Sequence, residues 1–223
     1  MKKYILCSDL DDTLYDETSF VKGGFKEVAR YISAIVEVSE SKIFSELNSH
    51  LRTVGRGEVF DLTLEKYGFN TKKNVNNCIQ VYRKHKPFIR LYPGVRKILN
   101  NMKNKPYLVT DGNISVQKKK VESLEIEENF KKIFYTRAYG IKNEKPSLHC
   151  FKKISQIENV SFENLIYIGD NTSKDFLNLN RFGALTIKVG NKDDSVFSKE
   201  YKAQMNFNNF TDAISYLNNN DLI

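Results

Sequence analysis

Three acidic residues stand close together near the start of the chain, in the segment YILCSDLDDTLYDE (4–17). Asp9, Asp11 and Asp12 directly follow a short apolar run, and their mutual repulsion is unfavourable unless a cation or strong hydrogen-bond donors lie among them. Alternate residues of an extended segment share a side, so we expect Asp9 and Asp11 to point the same way. Such a pair could provide a nucleophile and an acid/base, or ligands for a cation.

Further polar residues follow other strand-like runs of the sequence. They are Thr110 at the end of YLVT, Lys145 in KNEKPS, and Asp170 and Asp175 in GDNTSKD. In open parallel sheets, ligands bind beyond the carboxyl ends of the strands. We therefore expect these four side chains to meet the first two aspartates in one crevice.

A divalent cation would relieve the repulsion within this set of acids. Mg²⁺ prefers hard oxygen ligands and keeps several of its waters. Asp9, Asp170 and the backbone carbonyl of Asp11 are the predicted ligands, and Asp175 is predicted to orient ligands or waters around them. The sequence thus predicts Mg²⁺ as the cofactor.

The same residues suit phosphoryl transfer. Asp9 could attack phosphorus to form an aspartyl-phosphate, while Asp11 protonates the leaving alkoxide and then deprotonates a water. Thr110 and Lys145 could hold the phosphoryl oxygens and offset their charge. Backbone N–H groups in the turn at Asp111 could add to this substrate-binding cradle.

Short apolar runs separated by helical patterns indicate how these residues are positioned. The runs cover 4–6, 107–110, 133–136, 165–169 and 184–190, and each is bounded by polar or turn residues. Between most of them the apolar residues have helical spacing. Buried strands that alternate with helices predict an α/β protein with a Rossmann-like parallel sheet.

One long stretch departs from this alternation. Residues 15–90 contain helical patterns, such as GFKEVARYISAIVEV, and no buried-strand run. We predict a helical cap domain at 15–90, inserted into a core domain formed by 1–14 and 91–223. Arg52 and Arg56 are the candidate substrate-binding residues of this cap, because a cap that closes over a site can contact the substrate.

The composition argues against several classes of protein. The 223 residues carry a net charge of +8, but the lysines are spread along the chain, so a nucleic-acid partner is not expected. No apolar run approaches the roughly 20 residues of a membrane span, and the three cysteines have no metal-ligand spacing. We expect a cytoplasmic monomer or weak homodimer whose partner is a small phosphorylated metabolite, and neither nucleic acid nor membrane.

Four motifs, taken together, resemble those of the haloacid dehalogenase superfamily in its phosphatase branch. They are DLDDTL (9–14), the threonine of LVTDGN, the pair Lys145–Pro146, and GDNTSKD (169–175), each after a strand-like run. The resemblance implies that Asp9 is the nucleophile, that Asp11 is the general acid/base, and that the helical insertion is the family's cap. Asp12 stands where glycine is common in the motif, and we interpret it as a turn or helix-capping residue.

The same residues are compatible with several alternative functions. The first prediction is a Mg²⁺-dependent phosphatase for a small phosphomonoester, such as a sugar phosphate, a nucleotide or a phosphoglycolate-like acid. A phosphosugar mutase would use the same residues and return the phosphoryl group to the sugar. A carbon–halogen hydrolase has no use for the second acid, Asp11, and in a non-catalytic or nucleic-acid-binding module the clustered carboxylates would only destabilise the fold.

Overall fold

The computed structural model describes residues 4–223 and divides into two compact units. The sheet unit comprises Met1–Asp16 and Ile89–Ile223, and the helical unit comprises Glu17–Phe88. The predicted domain boundaries, 14/15 and 90/91, differ from these by two residues, and residues 1–3 of the predicted core lie outside the described residues. That the helical unit acts as a cap stays a prediction.

The sheet unit contains, within residues 4–223, six parallel strands in the order β3-β2-β1-β4-β5-β6. The strands are β1 (Ile5–Ser8), β2 (Tyr107–Thr110), β3 (Lys132–Tyr135), β4 (Leu165–Gly169), β5 (Leu185–Val189) and β6 (Met205–Phe207). All side chains of β1, β2 and β4 are buried, as expected for central strands of a parallel sheet. The predicted α/β class with a Rossmann-like sheet is confirmed.

Helices account for most of the remaining regular structure. The helical unit contains α1 (Glu17–Val36), α2 (Glu40–Val54), α3 (Val59–Glu65) and α4 (Lys72–Lys84). The sheet unit contains α5 (Val95–Asn101), α6 (Ile114–Ser123), α7 (His149–Glu158), α8 (Leu177–Arg181) and α9 (Phe210–Asn219). Short 3₁₀ turns connect several of these elements.

Each unit has its own apolar core. In the sheet unit, alternate residues of β1, β2 and β4 pack with the apolar side of α7; they are Ile5, Cys7, Tyr107, Val109, Leu165, Tyr167, Phe151 and Ile154. In the helical unit, residues spaced three and four apart on α1 pack with α2–α4; they are Val21, Phe25, Val28, Ala29 and Ile32. Both cores are therefore built from the periodicities that the sequence displays.

The expectations for the cysteines and for membrane spans can be compared with the structure. Cys7, Cys78 and Cys150 are free and buried, and burial raises the pKa of Cys150 to about 11. Every helix in the described part of the chain is too short or too polar to cross a membrane.

Candidate active site

The carboxyl ends of three neighbouring strands bring the predicted residues together. Asp9 directly follows β1, Thr110 ends β2, and Asp170 directly follows β4, and β1 lies between the other two strands. The backbone N–H of Asp9 donates to the carbonyl of Ile168 at 2.8 Å, which continues the pairing of β1 with β4 up to the first aspartate. The strand order thus places these three residues at the same edge of the sheet.

Lys145 connects two of the predicted acids. Its Nζ lies 3.0 Å from Asp9 Oδ2 and 2.8 Å from Asp175 Oδ1, and it donates to Tyr167 Oη at 2.7 Å. An ammonium has three N–H donors, so these partners account for all of them. Burial alone would lower the pKa of Lys145, but the carboxylates of Asp175 and Asp9 raise it well above its ordinary value. The lysine therefore stays charged and holds Asp9 in place.

Three buried carboxylates form a cluster at this edge. Asp9, Asp170 and Asp175 each place a carboxylate oxygen within 4.8 Å of the others. Burial raises the pKa of Asp9 to about 7, although Lys145 acts in the opposite direction, and burial also raises the pKa of Asp170. Burial thus disfavours the ionised forms of Asp9 and Asp170. A divalent cation would favour ionisation, and the carboxylates of the cluster are the hard oxygen ligands that such a cation prefers.

A close approach of Asp175 to the sheet explains the glycine that ends β4. A Cβ atom at Gly169 would lie 2.5 Å from Asp175 Oδ2. The same oxygen accepts the backbone N–H of Asn171 at 2.9 Å, and the side chain is buried completely. The glycine of the Gly-Asp motif is therefore needed sterically, because any side chain at position 169 would displace the Asp175 carboxylate.

Lys192 also contacts the cluster, although no motif in the sequence singles it out. Its Nζ lies 2.6 Å from Asp12 Oδ2 and also contacts Asp170 Oδ2. Asp12 has a φ of 53°, so its interpretation as a turn residue is confirmed. Lys192 follows β5 in the segment GNKDD, which reads as an ordinary polar loop.

Asp11 has a separate set of partners. Its Oδ1 accepts the ammonium of Lys120 at 2.7 Å and the hydroxyl of Tyr15, and its Oδ2 accepts the side-chain amide of Gln117 at 2.9 Å. The same amide nitrogen lies 2.5 Å from Thr110 Oγ1. Gln117 and Lys120 begin and end the run QKKK, which could be interpreted from the sequence only as a short basic stretch.

The turn after β2 holds Asp111 through several donors. Its carboxylate accepts Thr136 Oγ1 at 2.7 Å and the backbone N–H of Lys145 at 3.1 Å, and Lys174 Nζ lies 3.3 Å away. Burial alone would raise the pKa of Asp111, but Lys145 and Lys174 hold it below its ordinary value. Since an anionic side chain cannot bind phosphate oxygens, a substrate role for Asp111 would involve its backbone N–H.

The two arginines proposed for substrate binding lie in the helical unit. Arg52 is exposed in the last turn of α2, and Arg56 follows that helix. The two terminal guanidinium nitrogens of Arg56 contact the Glu17 carboxylate, Nη1 at 3.1 Å. Their contact with substrate stays a prediction.

Comparisons with known sequences identify the family. A family model described as haloacid dehalogenase-like hydrolase matches residues 7–189. A glyceraldehyde 3-phosphate phosphatase from Pyrococcus furiosus is 27% identical over 191 residues, which are 82% of this chain and 79% of that protein. The enzyme of the same name from Methanocaldococcus jannaschii is 28% identical over 189 residues, 81% of this chain and 82% of that protein.

A comparison with solved structures agrees with the fold. The HAD-hydrolase YfnB from Bacillus subtilis, determined with bound magnesium, superposes with a TM-score of 0.69 at 18% identity, over 98% of this chain and 100% of that chain. The chain described here belongs to the haloacid dehalogenase-like hydrolase family. The predicted family is confirmed, and so is the predicted class of enzyme, a phosphatase of this family.

Proposed function

We propose that this protein is a Mg²⁺-dependent phosphatase that hydrolyses a small phosphomonoester through an aspartyl-phosphate on Asp9. One observation carries the proposal: three buried carboxylates lie within 4.8 Å of one another at the sheet edge, with the ammonium of Lys145 bound to two of them. A cluster of this kind is costly to bury unless it binds a cation and a reacting group.

The first half of the reaction transfers the phosphoryl group to the protein. A carboxylate oxygen of Asp9 attacks phosphorus, and the bond between phosphorus and the ester oxygen breaks. Asp11 gives its proton to the departing ester oxygen, so the alcohol leaves neutral. In this proposal Lys145 holds the attacking carboxylate in position, and Thr110 Oγ1 donates to a phosphoryl oxygen.

The second half regenerates the protein. A water molecule gives a proton to the carboxylate of Asp11 and attacks phosphorus. The bond between phosphorus and Asp9 then breaks, and inorganic phosphate leaves. Each proton that Asp11 donates in the first half therefore returns to it in the second.

Residues at the sheet edge would hold the cation. Carboxylate oxygens of Asp9 and Asp170 and the backbone carbonyl of Asp11 are the proposed ligands. Both oxygens of Asp175 already bind Lys145 and the N–H of Asn171, which supports an orienting role. When bound, the cation would add positive charge next to the phosphoryl oxygens and so stabilise the transition state.

The relatives suggest where to begin with substrates. The curated relatives are named as glyceraldehyde 3-phosphate phosphatases and are 26% to 28% identical to this chain. We propose that the substrate is a small phosphorylated metabolite similar in size to glyceraldehyde 3-phosphate, and that Arg52 and Arg56 are candidate contacts for it.

The test is release of inorganic phosphate from a panel of metabolites. It contains glyceraldehyde 3-phosphate, phosphoglycolate, sugar phosphates and nucleoside monophosphates, each with Mg²⁺ and with EDTA. We expect Mg²⁺-dependent release that the Asp9→Asn variant abolishes and that Asp221→Asn, at an exposed position, leaves unchanged. No release from any compound would refute the proposal, and conversion of a hexose 1-phosphate to its 6-phosphate without free phosphate would favour the mutase.

A further inference from the structure

A buried lysine on α6 faces the acid/base residue. The side chain of Lys120 is 3% exposed, and its Nζ lies 2.7 Å from Asp11 Oδ1. Lysines rarely bury their ammonium group unless an acceptor compensates the lost hydration. On the same helix Lys118 is exposed to solvent, so the burial of Lys120 is specific to its position.

Gln117 adds a second donor one helical turn earlier. Its side-chain nitrogen lies 2.9 Å from Asp11 Oδ2 and 2.5 Å from Thr110 Oγ1. Residues three apart on a helix share a face, so Gln117 and Lys120 reach the same carboxylate from one rigid element. Because they bind different oxygens of Asp11, together they fix the plane of its carboxyl group.

The start of α6 connects this arrangement to β2, which ends at Thr110. The side chain of Asn113 caps the helix by accepting the N–H groups of Ser115 and Val116. Only two residues separate Thr110 from this cap. One strand–turn–helix connection thus carries Thr110, Gln117 and Lys120, and it sets the distance between the phosphoryl-binding group and the acid/base.

We infer that Lys120 and Gln117 are positioning residues that aim the Asp11 carboxyl group at the leaving oxygen of the substrate. The inference rests on the proposed phosphatase function. A correctly aimed Asp11 matters most when the departing oxygen needs a proton, as an alkoxide does. A stable phenolate such as p-nitrophenolate leaves without one, so its departure depends little on where Asp11 points.

The experiment compares two substrates in matched variants. Lys120→Met and the control Lys118→Met are assayed with p-nitrophenyl phosphate and with the best alkyl phosphate of the metabolite panel. General acid catalysis contributes on the order of 100-fold or more to rate, so we expect Lys120→Met to lower kcat/KM, which reports the phosphoryl-transfer half of the reaction, by about 100-fold for the alkyl ester and by less than about tenfold for the aryl ester. Because Asp11 also acts in the hydrolysis of the aspartyl-phosphate, kcat is expected to fall for both substrates, and Lys118→Met is expected to match the wild type.

Two further variants keep the test decisive if Lys120→Met does not fold. Gln117→Leu removes the second donor, and Lys120→Arg keeps the charge; we expect Gln117→Leu to show the same preference for the aryl ester and Lys120→Arg to restore part of the alkyl rate. Circular dichroism establishes that each variant is folded. An equal loss of kcat/KM on both substrates in an active, folded variant would overturn the inference alone, whereas a wild-type protein without phosphatase activity would overturn the proposed function as well.

Discussion

Replacing Lys145 by methionine should destabilise the protein strongly, and more so at alkaline pH. Methionine has similar length and no charge, so the substitution removes the ammonium with little change of volume. It leaves the buried carboxylates of Asp9 and Asp175 without the cation that lies 3.0 Å and 2.8 Å from them. It also removes the donor to Tyr167 Oη.

The expected magnitude follows from these distances. At an effective dielectric constant of about 20, a charge pair about 3 Å apart has a Coulomb energy of about 5 kcal/mol. The cost of desolvating the ammonium offsets part of this energy, and removing one partner of a buried pair typically costs about 3–5 kcal/mol. We therefore expect the free energy of unfolding to fall by about 4 kcal/mol, which moves the urea midpoint down by about 2 M.

The pH dependence has a definite sign. Burial raises the pKa of Asp9 from 3.8 to about 7, and Lys145 opposes that rise. A carboxyl group whose folded-state pKa is raised contributes stability below its unfolded pKa and loses it as pH rises through the folded value. Without Lys145 this loss is larger. The difference in the free energy of unfolding between wild type and Lys145→Met should therefore be greater at pH 8 than at pH 5.

Urea unfolding followed by circular dichroism measures both quantities. Wild type, Lys145→Met and the control Lys152→Met, at an exposed position of α7, are compared at pH 5 and pH 8 in EDTA. A deficit for Lys145→Met below about 1 kcal/mol at pH 8, as for an exposed pair, would refute the reasoning. An equal deficit at the two pH values would refute the assignment of the effect to buried carboxylates.

Three further substitutions probe other contacts of the site. Gly169→Ala places a methyl group 2.5 Å from Asp175 Oδ2 and should lower stability by about 1–3 kcal/mol in thermal unfolding; an unchanged midpoint would contradict the steric argument. Lys192→Met removes the ammonium group that competes with Mg²⁺ for Asp170, so calorimetry should show Mg²⁺ binding about three- to tenfold tighter. The gain is modest because Lys192 is half exposed and solvent screens its charge; weaker Mg²⁺ binding would contradict this competition. Asn113→Ala removes the cap of α6 and should cost about 1 kcal/mol in urea unfolding, with no loss expected if the cap contributes nothing.

The sequence predicted the fold where apolar runs were long enough to be recognised. LIYIG coincides with β4, and YLVT coincides with β2. By contrast β6 has three residues with a polar one in the middle, so it offers no apolar run to recognise. Pairing with β5, which the sequence does not display, is what makes this segment a strand.

A glycine pair obscured the beginning of the first helix. The helical pattern recognised in the sequence begins at Gly24, whereas α1 begins at Glu17. Glycine disfavours helix on intrinsic propensity. At Gly24 a Cβ atom would lie 2.5 Å from the ring of Tyr82, so close packing against α4 explains the residue and overrides its propensity.

Some residues of the candidate site could be predicted from the sequence, and others could not. The acids and Lys145 stand in motifs with fixed positions relative to strands, so the sheet topology alone suggested that they converge. Gln117, Lys120 and Lys192 stand in polar segments, where nothing local distinguishes an inward side chain from a solvated one. Spacing by one helical turn links Gln117 to Lys120, but the orientation of that face depends on how α6 packs.

The position of β1 in the sheet has a consequence for biosynthesis. Cys7 of this strand pairs with Tyr107 on one side and with Tyr167 on the other, about 100 and 160 positions later. During translation the strand can gain its first neighbour only after about half of the 223 residues have been synthesised, and its second only after about three quarters. Glu17–Phe88, with its separate core, emerges in this interval, and we expect it to become compact first and to shorten the distance over which the two ends of the nascent sheet must meet.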